Sequence, residues 1–198
     1  MEKPFTFDRC AGHLALDFAN TVDGRASDSP VDRLASYQDL LAFATQCEVL
    51  GAAEAHKLAA RARRSPADAQ VVFERAKALR DALYDLTAAI AEERTPPAEA
   101  RAEVNRAVGR LEIGHDWQWE WGCSPGGLDS MLGPITIAAA ELLTGPQRER
   151  ISMCAADTCA WVFLDTSKNH SRRWCDMKVC GNRAKARRFT ARQQGEPA

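Results

Sequence analysis

The chain has 198 residues, 45% of them hydrophobic, and a formal net charge of -1. That length can bury a real core and corresponds to one or two domains. No apolar run approaches the roughly 20 residues that span a bilayer, and no secretion signal follows Met1, so the sequence predicts a cytoplasmic protein with reduced thiols and no membrane partner.

In chain order, Gly12 to Val22 (GHLALDFANTV) begins apolar and ends in a polar cluster, Asp17, Asn20, Thr21 and Asp23. The pattern predicts a strand leading into a turn. From Pro30 it becomes helical, with Asp32 as cap, Leu34, Leu40, Leu41 and Ala44 on one face, and Gly51 as the stop. A second helix is predicted from Ala52 to Arg64. Ser65-Pro66-Ala67-Asp68 opens the longest one, in which Val71, Val72, Leu79, Leu83, Leu86 and Ile90 recur at three-and-four spacing up to Thr95-Pro96-Pro97.

Ala98 to Leu111 reads as another helix. The period then changes, because Trp117, Trp119 and Trp121 alternate with polar residues and predict a strand with one aromatic face, expected in the core. Leu128 to Thr144 returns to helix and Gly145-Pro146 ends it. Residues 1–145 are expected to hold a core of their own.

Beyond that boundary the charge changes sign. Residues 1–150 carry 17 basic and 23 acidic side chains, whereas residues 151–198 carry 9 and 4. From Lys168 to Arg192 all nine bases face Asp176 alone. A basic tail beside an acidic body points to a polyanionic partner.

The same segment holds Cys154, Cys159, Cys175 and Cys180, two pairs of equal C-x4-C spacing. Four thiolates complete a closed tetrahedral shell around one structural Zn2+ and leave no open position for catalysis. Two disulfides are disfavoured by the reducing compartment and by the odd total of seven cysteines. His170 reads as a loop histidine rather than a ligand, and Cys10, Cys47 and Cys123 as buried or incidental thiols. Ala160 to Asp165 suits a strand, with Arg172-Arg173-Trp174 returning as its partner. Arg183 to Phe189 is rich in helix formers, and its bases cover much of a helix that starts near Cys180. This order of knuckle, hairpin, cysteine pair and helix resembles a treble-clef zinc finger.

Arg150-Ile-Ser-Met-Cys154, Phe163-Leu-Asp165-Thr-Ser167, Arg172-Arg-Trp-Cys175 and Cys180-Gly-Asn-Arg183-Ala-Lys185 together resemble the CGNR zinc-finger family. Gly12-His-Leu-Ala-Leu-Asp17-Phe-Ala-Asn20-Thr21-Val resembles the start of its partner domain, ABATE. The resemblance implies a bacterial, stress-induced transcription regulator whose zinc module binds DNA and whose N-terminal domain senses a signal. It implies the four cysteines as ligands, and Arg172, Arg173, Trp174, Asn182, Arg183 and Lys185 as motif residues available for binding. Alternatively, Asn182 tightens the turn into the helix and Arg183 pairs with Asp165.

The resulting expectation is an α+β chain. It comprises a mainly helical domain over residues 1–145, a zinc finger over 150–192 holding one Zn2+, and a disordered tail over 193–198. DNA contacts are expected from Arg172, Arg173, Arg183, Lys185, Arg187 and Arg188. A small-molecule effector would use Asp17, Asn20 and Thr21, and a homodimer is the common form of such regulators. His13, Asp17 and Asp23 read as a hydrogen-bonded turn rather than a second metal site. The arginines at 61, 63 and 64 complement a helix dipole. Catalysis is not expected, since no phosphate loop, nucleophile elbow or HExxH pair occurs. A zinc-stabilised protein-interaction module and an RNA binder are the alternative readings.

Overall fold

The computed structural model describes residues 5–122 and 127–193, without the side chains of Arg188, Ala191 and Arg192. Cys123 and the expected tail from residue 194 onward lie outside the described residues. The helical expectations hold closely through the middle of the chain. Helix α2 covers Tyr37–Gln46, α3 Ala52–Arg64, α4 Pro66–Ala91, α5 Ala98–Val108 and α6 Leu132–Thr144. Pro66 opens α4 at a position where its missing N–H has no intrahelical partner to lose.

Four local expectations are corrected. Gly12 to Val22 contains a helix, α1 (Leu14–Ala19), not a strand. His13 caps it by accepting from the Ala15 N–H, and Ala15, Leu16, Phe18 and Ala19 are buried. The cap of α2 is Ser36, which accepts from the Asp39 N–H while Asp39 reaches back to the Ala35 N–H. Asp32 is instead engaged by Arg80, a side chain 2% exposed that donates to it at 2.6 Å.

The tryptophan strand forms, but not as core. Strand β4 (Trp119–Trp121) pairs antiparallel with β3 (Leu111–Ile113), so Leu111 opens this hairpin instead of closing α5. Trp117 is 86% and Trp119 52% exposed, and only Trp121 packs inward, beneath Arg110 and against Gly133.

The remaining strands are short. Val22–Asp23 (β1) pairs with Val31–Asp32 (β2), and Ile151–Met153 (β5) with Val162–Leu164 (β6). The finger hairpin is therefore closed around the first cysteine pair, since the partner of β6 is β5 and not Arg172 to Trp174.

One hydrophobic core crosses the boundary near residue 146. It includes Leu16, Phe18, Leu79 and Leu83 from the helices together with Ile151, Trp161, Val162 and Phe163 from the finger. Val162 and Phe163 are 0% exposed. Burial on this scale makes the β5–β6 hairpin a wall of the helical body. Polar contacts reinforce the seam: Trp161 Nε1 donates to the Val22 carbonyl at 2.8 Å and Tyr84 Oη to the Ala160 carbonyl at 2.9 Å. Among the described residues no helix is long and apolar enough to cross a membrane.

Candidate metal centre and nucleic-acid interface

Two turns bring the cysteines together. The β5–β6 hairpin carries Cys154 and Cys159 on its knuckle, where Cys154 N–H donates to the Trp161 carbonyl at 2.8 Å and Ala160 takes a positive φ of 54°. A tight turn at Met177–Gly181 supplies Cys180, and Asp176 caps that turn by accepting from the N–H groups of Lys178 and Val179. Helix α7 (Asn182–Gln193) follows directly. Asn182 Nδ2 donates to the Lys178 carbonyl at 2.9 Å, which gives it the turn-tightening role.

All four sulfurs lie within 4.8 Å of one another. Cys159 Sγ is 3.7 Å from Cys175 Sγ, which is 3.6 Å from Cys180 Sγ. Four sulfurs at ~2.3 Å from a tetrahedral zinc would stand about 3.8 Å apart, so the cluster has the dimensions of its ion. The electrostatics point the same way. Hydrogen bonds from Cys159 and Cys175 pull the Cys154 thiol down. The bond to Cys154 pushes Cys159 up, Cys10 and Cys154 push Cys175 up, and burial pushes Cys180 up. Thiols this close ionise together only around a cation, which Zn2+ supplies. With three ligands buried and the fourth half-buried, the site is closed and structural.

The expected DNA residues divide into two groups. Arg172 is not available. Its guanidinium donates to the carbonyls of Trp174 at 2.9 Å, Cys10 at 2.8 Å and Cys175, and lies 4.4 Å over the Phe163 ring. It ties the second cysteine pair to the N-terminal segment. Arg173, Arg183, Lys185 and Arg187 are exposed, as are Lys168 and Lys178. Arg187 forms an ion pair with Asp157 at 3.1 Å, both groups largely in water, and such a pair is worth little. Arg188 lies on α7, its side chain outside the description.

Arg183 does not pair with Asp165. That carboxylate is 2% exposed and accepts from the N–H groups of Ser167 at 2.8 Å and Arg172 at 3.0 Å. These bonds hold it below the usual carboxylate range against the opposing effect of burial.

The residues expected to hold an effector are bonded within the protein. Asn20, 3% exposed, donates to the Val162 carbonyl at 2.7 Å and accepts from the Val162 N–H at 3.0 Å. Thr21 donates to the Phe18 carbonyl and Asp17 accepts from the Ala11 N–H. All three are committed to the protein, and none lines a cavity described here. The cavity of about 620 Å³ lies elsewhere, between the N-terminal segment, the β1–β2 hairpin, the knuckle and α7. Spacing alone gave no signal for Asp8 or Arg33, which line it. Cys10 also lines it and hydrogen-bonds to Cys175, which lowers the Cys10 pKa.

A mainly helical body fused to a four-cysteine finger with a basic terminal helix defines the class: a zinc-stabilised two-segment protein. Residues 12–146 match the ABATE family, described as "Putative stress-induced transcription regulator", and residues 150–193 match the CGNR zinc finger. The chain belongs to the ABATE family, with the CGNR finger at its C-terminal end. No curated protein matches it.

Proposed function

We propose that this chain is a DNA-binding transcription regulator, acting in the cytoplasm without catalysis, whose finger docks on the phosphate backbone through α7 and the turn before it. The observation that carries the reading is the state of the basic side chains. Arg173, Lys178, Arg183 and Lys185 are exposed and, among the described residues, form no ion pair, so the acidic body has not claimed them. Only Ala184 of α7 is buried among its described side chains, which leaves the helix able to approach a groove. The zinc site and Arg172 fix the helix base, and the arginines and lysines supply the charge. The family description supports the regulatory reading.

A second reading has its own observation. Met177, Val179 and Phe189 are 56%, 45% and 64% exposed beside the bases, a composition that suits a protein partner. Titrating zinc-loaded protein against duplex DNA and RNA of matched length, over a series of salt concentrations, separates the two. Salt-sensitive binding preferring the duplex supports the regulator, and the stoichiometry reports whether one copy or a homodimer occupies a site.

A further inference from the structure

The 620 Å³ cavity has one wall from the N-terminal body and the other from the finger, where Cys159, Cys175 and Cys180 also line it, so that its volume takes in the metal site. That volume lies within the range of small-molecule sites, roughly 300 to 1,000 Å³. Its floor is apolar, from Trp161, Val31 and Val179. Most of the charges around it are already committed. Asp23 pairs with Arg33 at 2.6 Å, Arg187 with Asp157, and Asp176 caps its own turn.

Two charges of opposite sign are not. Asp8, on the body wall, accepts no hydrogen bond and forms no ion pair among the described residues. Arg183, on the finger wall, likewise has no partner among them, and the two do not reach each other. A site with an unpaired carboxylate on one wall and an unpaired guanidinium on the other fits a ligand that carries an ammonium and a carboxylate of its own. Burial and the nearby Asp23 and Asp176 raise the Asp8 pKa against the opposing pull of Arg33, a cost that an incoming ammonium relieves.

We infer that this cavity binds a small zwitterion, an amino acid or dipeptide, with its amino group on Asp8, its carboxylate on Arg183 and its side chain over Trp161. The ligand would bridge the body and α7. This deepens the regulatory reading and rests on it for its purpose, because a group held on Arg183 is withdrawn from phosphate and fixes the helix against the body. The chemistry explains why the sensing residues come from both segments rather than from Asp17, Asn20 and Thr21.

The test uses the zinc-loaded full chain with no DNA present, so its result is independent of whether the chain binds DNA. The common L-amino acids and their glycyl dipeptides are added one at a time and the Tm is read. The parent amines lacking the carboxylate and the N-acetylated acids serve as controls. The expected result is that at least one zwitterion raises Tm by about 5 to 10 °C at roughly a hundredfold excess over Kd. Its amine and acid analogues should bind at least about tenfold more weakly. Asp8→Asn and Arg183→Gln, both at exposed unpaired positions, should each weaken the same ligand about tenfold or more while keeping the fold. The inference is overturned if no member of the panel shifts Tm. It is equally overturned if an amine or acid alone binds as well as the parent, or if both variants bind like the unaltered chain.

Discussion

Replacing Asn20 with Ala tests the seam between the body and the finger. The Asn20 amide satisfies both the N–H and the C=O of Val162, a residue 0% exposed. Its truncation leaves two buried backbone groups without partners and opens a small void at a side chain that is 3% exposed. At about 1 to 3 kcal/mol for each of the two orphaned groups, the loss should be about 2 to 6 kcal/mol. In a chain of this size that lowers Tm by roughly 4 to 24 °C. Asn20→Asp should be no milder, because it keeps an acceptor for the Val162 N–H but sets a carboxylate oxygen against the Val162 carbonyl. Urea unfolding of zinc-loaded protein, followed by circular dichroism, gives the difference. A loss below about 1 kcal/mol would refute the reasoning and mean that strand pairing and burial hold the hairpin without the amide.

Cys175→Ser or exhaustive chelation should destabilise the helical body as well as the finger, since Cys154, Cys175 and Cys180 belong to the shared core; metal content and far-ultraviolet melting check this, and an unchanged body transition would contradict it. For the same reason a fragment ending at residue 145 should aggregate or lack a cooperative transition, because it strips Val162 and Phe163 from the core. Arg172→Lys should lower stability and zinc retention because a single ammonium cannot reproduce the forked contacts to Cys10, Cys175 and Trp174, with competition against a chromogenic chelator as the readout. Burial raises Asp17 to about 6, so between its ordinary carboxylate value and pH 6 the folded state binds more protons than the unfolded one, and stability falls as pH rises. Asp17→Asn, which keeps the acceptor for Ala11, should flatten that slope in denaturation curves recorded across the window; an unchanged slope counts against the assignment.

The long elements were legible because their signals are local. Ala52–Arg64 and the start of α4 at Pro66 follow from a helical period bounded by Gly51 and Ser65-Pro66, and the four ligands follow from spacing alone. What sequence could not show depends on distant partners. Asp32 reads as the cap of the helix, but Arg80, 48 residues away, engages it, and Ser36 caps α2 instead. Helix α1 is six residues long, too short to display a period. Asn20 reads as a turn residue until Val162 is placed beside it. Arg172 adjoins Arg173 in the basic segment, and its role shows only once Cys10, far off in sequence, is placed against it. The indoles of Trp117 and Trp119 alternate as a buried strand would, but Trp117 precedes β4 and the packing against Gly133 of α6 reaches only Trp121.

The central claim is that the finger contacts DNA through its exposed bases, and fluorescence anisotropy of a labelled duplex against salt tests it most directly. With about four phosphates neutralised, log affinity should fall against log salt with a slope of roughly -4. Lys185→Ala should reduce that slope by about 1 without altering zinc content, and Arg172→Lys that retains zinc should leave it unchanged. Zinc-loaded protein that shows no affinity for duplex DNA even at low salt would contradict the account.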